Sequence, residues 1–462
     1  MNKETIGRGT LIPPTFTLPV VIDGEVIRKL STYVSPTPGC LPIIAFGNVL
    51  SYATTISEPT LALLAEAGIN TSAPHILNSS SPTIGFNRLI GPVLSLAKDK
   101  KVKILVRWID INSKLLSQQI SQYANLWKSA SAEYSCDASV GGWMLDGVGN
   151  KDNISGLGSI KAALADIWNR DAYVSLASSK SFVDSVDTST PFDWKGEYAA
   201  YIQSVASSFK TAVWTNRFEA FHTNLDDFSI RSGYFQNLEM FRRLSYGTGR
   251  PWWGVFPGGY SSQAQTQSSS LTQCFSTISM RIRYEVHCLL AFGAKGLGWE
   301  YFFENRSTSG TLYNWTPINA LGAKVDLLFS NARLINEEIE NLEHIFLEGS
   351  VLECRFSKNR SRYNGFTIGL SSPMGNLKAI SPSSDNTSTY GVLMSRIKNM
   401  GNEYTLVVNV DTQVTQKMKL TFDDYVTGIV PNFENKVKSY EVTLEPGEWC
   451  IFCTKLFDEV NL

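Results

Sequence analysis

Between Cys40 and Phe303 the chain alternates eight times between short apolar runs and longer segments with helical spacing. The runs are CLPIIAFGNVL, NTSAPHIL, VKILVRWID, VGGWMLD, AYVSLAS, TAVWTN, PWWGVF and AKGLGWEYFF. They are rich in β-branched and aromatic residues and too short for helices. Between them lie segments such as EPTLALLAEAGI, YFQNLEMFRRLSYGTG and SLTQCFSTISMRIRYEVHCLLAFG, whose apolar residues recur at helical intervals. Strands separated by helices pair in parallel through right-handed crossovers. Eight such units predict an α/β fold, a (β/α)8 TIM barrel, closed by the helix KVDLLFSNARLINEEIENLEHIF. A doubly wound open sheet is the alternative. No GxGxxG follows the first strand and no GxxxxGK[ST] occurs, so neither dinucleotide nor P-loop chemistry is indicated.

The flanks have a different texture. Residues 1–38 are proline-rich and read as an N-terminal arm with one strand at Val20–Ile27. The barrel is expected over 39–346. From 347 to 462 alternating runs replace helices: VLECRFS, NGFTIGLSS, YGVLMSRIK, EYTLVVNV, KMKLTF and KSYEVTLEPGEWCIFC. They predict a C-terminal antiparallel, sandwich-like β module. The polar stretch SSQAQTQSSS at 261–270 falls after the seventh strand, either a rim or lid of the barrel or a plain solvated loop.

Charge and cysteine content narrow the partners. With 42 acidic and 41 basic residues the net charge is −1, leaving no positive excess to displace phosphate counterions, so no nucleic-acid partner is expected. Near-neutrality is compatible with a homo-oligomer or larger assembly. No run reaches the roughly 18 apolar residues of a membrane span. The first residues carry no compact signal-peptide core, which points to cytoplasmic synthesis, or to a secreted, periplasmic or cell-surface protein whose signal was trimmed. Seven cysteines cannot all pair. Cys450 and Cys453 stand three apart in a strand, so they point to opposite faces and read as buried thiols rather than a redox or zinc pair.

In a barrel the functional residues sit at the C-terminal strand ends. Those ends carry an unusual density of aromatics. Trp108, Trp143, Trp214, Trp253, Trp299 and Tyr301 are candidates to stack on sugar rings, with Asn216 and Arg217 as polar contacts. Strand alternation sends part of each neighbouring pair, such as Trp252 and Trp253, into the core instead. Asp146 ends the fourth strand and Glu300 the eighth. A charge in the strand–helix layer is costly, so both are expected in the barrel mouth. Two carboxyl groups flanking a bond are what glycoside hydrolysis needs, one as acid/base and one as nucleophile or water activator. Asp110, Glu219 and Glu304 are further candidates, with salt bridges to Arg107, Arg217 or Arg306 as the bland alternative. The four histidines form no HExxH or paired-His pattern and no GxSxG elbow occurs, so neither a metal nor a cofactor nor a catalytic serine is expected.

Several segments resemble the glycoside hydrolase-like (β/α)8 proteins of gut Bacteroidetes, relatives of the retaining-glycosidase clan that includes β-galactosidase and cellulase barrels. They are EAGINTS, KVKILV, VGGWMLD, YFQNLEMFRRLSYGTGRPWWGVF, RYEVHCLLAFGAKGLGWEYF and LINEEIENLE, in matching order between Cys40 and Phe346. The resemblance implies the barrel, the appended β module and an oligo- or polysaccharide ligand. Three family features are altered. The fourth strand of the family continues into Asp-Glu-Pro, where this chain has Gly147 and Val148 in direct register, with Asp146 one residue earlier. The family's strand-seven Glu is absent from WWGVFPGGY, and WTNRFEAF lacks the usual sixth-strand pattern. Two readings follow. One is a carbohydrate-active hydrolase using Asp146 and Glu300. The other is a non-catalytic descendant, serving as a glycan-binding or structural module, including a phage virion or tail component.

Overall fold

The structure, a computed structural model, describes residues 20–22, 25–27, 39–50, 57–76, 90–108, 129, 132–134, 137–145, 172–176, 213–217, 219–222, 224–231, 233–248, 251–262, 270–306, 312–357, 374–382, 391–399 and 401–455. The N-terminal segment expected as one strand is a two-stranded antiparallel ladder, β1 (Val20–Ile22) and β2 (Glu25–Ile27), with Ile22 opposite Glu25. The intervening Asp23-Gly24 is a strong two-residue hairpin signal.

Next come β3 (Ile43–Leu50), α1 (Glu58–Glu66), β4 (Thr71–Ile76), α2 (Gly91–Lys100), β5 (Lys103–Trp108), β6 (Val140–Leu145), β7 (Ala172–Leu176), β8 (Val213–Arg217), α3 (Tyr234–Thr248), β9 (Trp252–Pro257), α4 (Leu271–Ala291) and β10 (Leu297–Glu300). The eight strands β3 to β10 form a closed barrel in the order β10-β3-β4-β5-β6-β7-β8-β9, with every adjacent pair parallel. Helices occupy the β3–β4, β4–β5, β8–β9 and β9–β10 crossovers among the described residues. The expected helices within 114–131, 159–169 and 197–209 lie almost wholly outside them, as do 263–269 of the polar loop. Helix ends follow local chemistry. Ser57 caps α1 by accepting from the Thr60 N–H, and Gly68 leaves the helix at φ +75°.

Strand alternation divides the barrel into two cores. Ile44, Phe46, Ala73, Leu105, Met144, Tyr173, Trp253 and Val255 cluster in the interior. Their neighbours Ile43, Ala45, Ile104, Val106, Trp143, Trp252, Phe256 and Trp299 join the layer between strands and helices. Tyr173 and Trp253 stack at 4.4 Å and plug the interior. Gly296, just before β10, leaves room for the Trp253 indole, since a Cβ there would stand 2.5 Å from its Cδ1.

After β10 come β11 (Asn305–Arg306), β12 (Leu312–Tyr313) and α5 (Asp326–Glu348). The β module comprises β13 (Ser350–Phe356), β14 (Leu377–Pro382), β15 (Val392–Asn399), β16 (Asn402–Asn409), β17 (Gln416–Val430), β18 (Phe433–Leu444) and β19 (Trp449–Lys455). Among the described residues the seven strands share one antiparallel hydrogen-bonded sheet where two were expected, ordered β13-β15-β16-β19-β17-β14 with β18 on β17. The reason lies in β17, which runs far beyond the expected KMKLTF. It pairs with β14 along its first half and β19 along its second, with register shifts between Thr421 and Gly428. Such irregularities bend a strand and let it change partners. The expected strand NGFTIGLSS lies outside the described residues. Cys450 and Cys453 form no disulfide and are buried in different clusters, on opposite faces as the alternation requires.

One sheet face packs on the barrel helices. Trp449 stacks on His287 of α4 (3.8 Å, 4°) and on Phe346 of α5 (5.4 Å, 9°). His287 donates from Nδ1 to the Gly447 carbonyl at 2.7 Å, and burial pushes its pKa down to about 3. The folded chain therefore refuses a proton that the unfolded chain binds below its ordinary 6.5. Stability contributed by neutral His287 is present above that value and falls with acid, by about 1.4 kcal/mol per pH unit until its folded pKa is reached. Urea unfolding across this window is expected to show a shallower acid limb in His287→Gln than in the native chain. An identical limb in both would refute the linkage.

Candidate functional site at the barrel mouth

Glu300 is placed by the last residues of β10. Trp299 faces outward, where its Nε1 donates to Asn336 Oδ1 of α5 at 3.1 Å. Gly298 faces inward, since a Cβ there would meet Phe46 and Val255 at 2.6 and 3.0 Å. Glu300 is the next inward position, at the C-terminal end of the strand, and is 8% exposed. Phe46 and Val255 thus form an apolar floor one step below a sheltered carboxyl group.

The rim beside it is built from the segment after β9. Gly258 N–H donates to the Glu300 carbonyl at 2.6 Å. A Cβ on Gly259 would fall 2.5 Å from Thr316 Cγ2 and 2.9 Å from the Tyr301 carbonyl, so only glycine lets the backbone approach this closely. Tyr260 and Trp315 exchange backbone hydrogen bonds of 3.0 and 2.9 Å, and Asn314 accepts from the Ser262 N–H at 2.8 Å. Tyr301 and Tyr313 lie ring to ring at 5.0 Å, both partly exposed. Together they offer an aromatic face on a rim fixed by backbone pairing.

The other sequence candidates have varied fates. Asp146 and Asp110 lie outside the described residues. Trp108 lies on β5, and Trp214, Asn216 and Arg217 on β8, where they pair with Trp252, Gly254 and Val255 of β9; their side chains are outside the description. Trp143, Trp253 and Trp299 have no face to offer a sugar, being 1%, 0% and 1% exposed. Alternation turns Trp143 and Trp299 into the helix layer, and Trp253 lies too early in β9 to reach the mouth. Glu219 pairs with Arg231 at 3.2 Å. Glu304 accepts from the Ala320 N–H at 3.1 Å. At the end of β9, the position inward of Val255 is Pro257, so this strand supplies no carboxylate. Around the closed barrel β6 and β10 stand four strands apart in either direction, on opposite walls.

Sequence reasoning did not single out Tyr313, Gly258 or Gly259. The Gly-Gly pair was visible and marks close backbone approach. Tyr313 carries no local signal, because only the bridge from Tyr260 to Trp315 brings its strand to the rim. Among the described residues no group of three or more His, Cys, Asp or Glu is arranged to hold a metal, and no helix is long and apolar enough to cross a membrane.

Comparison with solved structures finds similar chain courses among glycoside hydrolases. A glycoside hydrolase family 5 structure from Bacteroides vulgatus ATCC 8482 aligns with a TM-score of 0.49 at 10% identity, over 93% of this chain and 97% of that one. A GH30 endoxylanase from Clostridium papyrosolvens C71 gives 0.42 at 11% identity, over 90% and 98%. A putative alpha-L-fucosidase from Bacteroides thetaiotaomicron VPI-5482 gives 0.44 at 13%, over 66% and 99%. No family model and no curated protein matches the chain.

Proposed function

We propose that the chain is a glycoside hydrolase-like (β/α)8 barrel over residues 39–346 with a C-terminal antiparallel module over 347–462, and that its mouth takes an oligo- or polysaccharide. The supporting observation is Glu300, a carboxyl group on the inward register at a C-terminal strand end, over an apolar floor and beside the Tyr301–Tyr313 pair. A carboxylate accepts hydrogen bonds from sugar hydroxyls, and an aromatic face stacks on the apolar side of the ring. Trp108, Asn216 and Arg217 are further ligand contacts in this reading, from the ends of β5 and β8, whereas Trp214, paired with Trp252, lies low in β8.

Hydrolysis by Asp146 and Glu300 is the second reading; Glu300 at the mouth supports it, whereas β6 and β10 on opposite walls set the two carboxyl groups far apart for a retaining pair and awkwardly even for an inverting one. Carboxyl groups about 6.5–9.5 Å apart leave room for the water of an inverting reaction, whereas a retaining pair stands at about 5 Å. Pro257 leaves no strand-seven nucleophile for the retaining course.

The test is a panel of aryl glycosides and gut polysaccharides, assayed for binding and for turnover. Turnover that falls by about a hundredfold or more in both Asp146→Asn and Glu300→Gln supports hydrolysis. Binding without turnover, weakened by Glu300→Gln and by Tyr301→Ala, supports the glycan-binding reading alone. Binding that neither substitution weakens overturns the site.

A further inference from the structure

The register of the barrel brings two arginines to its mouth. On β5 Leu105 belongs to the interior cluster, and Arg107 is the next position on the same face, one residue before the strand ends. It pairs with His75 of β4, which follows the interior Ala73 in the same way, and with Met144 of β6. On β8 Thr215 pairs with Trp253 and Arg217 with Val255, both interior residues of β9. Arg217 is therefore also on the inward face, and it is the last residue of its strand.

Both arginines stand on one half of the ring. In the closed order, β5 and β8 bound the half that contains β6 and β7, and Glu300 on β10 stands in the other half, two strands from Arg217 and three from Arg107. The residues paired with the arginines, His75, Met144 and Val255, bring no acid to their level. The first acids to follow β5, β6 and β8 are Asp110, Asp146 and Glu219. Glu219 is paired with Arg231 at 3.2 Å, and the other two lie outside the described residues. Beneath, the interior is filled by Leu105, Tyr173 and Trp253. Arginine keeps its charge at any pH a fold tolerates, and a charge at the edge of an apolar interior is stabilised by an anion. The open side, from which an anion can arrive, is the mouth.

We propose that the mouth selects acidic glycans, with the anionic group of the sugar on the β5–β8 side at Arg107 and Arg217, and its hydroxyls and apolar face at Glu300 and the Tyr301–Tyr313 pair. This inference rests on the glycan reading of the mouth and adds the substrate class to it. The planar guanidinium fork matches two oxygens of one anionic group, the carboxylate of a uronic acid or a sulfate ester. The division of the ring keeps that group two or three strands away from the Glu300 carboxyl group, so like charges are not brought together. A neutral sugar of the same size uses only the Glu300 side and binds more weakly.

Binding of matched oligosaccharide pairs to the full chain tests this. The pairs are oligogalacturonate with its methyl ester, and sulfated with desulfated carrageenan oligosaccharides. The acidic member of one pair is expected to bind about tenfold or more tighter than its neutral form, and which pair shows this separates carboxylate from sulfate. Arg107→Gln and Arg217→Gln are each expected to weaken the acidic member by about tenfold or more and the neutral member far less. Should these variants not fold, Arg107→Lys and Arg217→Lys keep the charge without the fork and are expected to retain part of the preference. The native chain's preference is also expected to shrink between about 0.05 M and about 0.5 M salt. Neutral glycans that bind as tightly as acidic ones, or alone, with Glu300→Gln still weakening them, overturn the inference and leave the glycan site standing. A preference for acid that survives both glutamine variants overturns the role of the two arginines. No binding by these pairs or by neutral polysaccharides overturns the glycan reading, and this inference with it.

Discussion

Arg281→Met is expected to lower the unfolding free energy by about 3–5 kcal/mol, measured as a fall in the urea midpoint. The side chain is wholly buried and serves four backbone carbonyls of a single loop, with its guanidinium 4.9 Å from the Phe221 ring. Methionine fills the space but donates nothing. Each carbonyl left unpaired and buried costs about 1–3 kcal/mol, and water reaching the outer part of the loop recovers some of that. The loss spreads beyond the loop, because Thr412 of the β module donates to the Phe228 carbonyl at 2.8 Å and Tyr284 of α4 donates to Val410 at 3.3 Å. Arg281→Lys is expected to fall between, since an ammonium keeps the charge without the planar fork. A loss below about 1 kcal/mol in Arg281→Met would contradict the role.

Trp253→Ala is expected to cost about 3–5 kcal/mol, through a cavity at the centre of the barrel. The indole is fully buried, stacked on Tyr173, and seated against Gly296. Parallel strands on all sides hold the wall, so it cannot collapse onto the missing volume. Trp253→Phe should cost less because it retains a ring on Tyr173. The placement separates two roles for the same residue. A core tryptophan changes the unfolding midpoint, whereas a rim tryptophan changes sugar affinity at constant stability. Unaltered stability in Trp253→Ala, with affinity lost, would contradict the interior placement.

The barrel strands were legible because each is a compact apolar run between helical segments, and all eight runs carry strands. Which face each aromatic takes was not legible to the same depth. Trp252 and Trp253 do split between the two cores, as alternation demands. The height of a residue along its strand, however, depends on register and tilt, so Trp253 reads as a mouth residue when it lies low in β9. Trp299 and Glu300 show the same rule from the other side: adjacent in sequence, one meets Asn336 and the other lines the mouth. Non-local partners were the least visible. Nothing near Glu219 announces Arg231, which reaches it only because the loop closes through Ala220 and Arg231. In the β module, β14 was missed because NLKAISP lacks alternation and ends in proline, so its pairing with β17 decides the matter.

The central claim is that the barrel mouth is a glycan site centred on Glu300, and a crystal structure with a bound oligosaccharide from the binding panel tests it most directly. The account predicts sugar over the Phe46–Val255 floor, with a hydroxyl within hydrogen-bond distance of the Glu300 carboxyl group and a ring against Tyr301 or Tyr313. Sugar held on the C-terminal sheet, with nothing in the mouth, would contradict it.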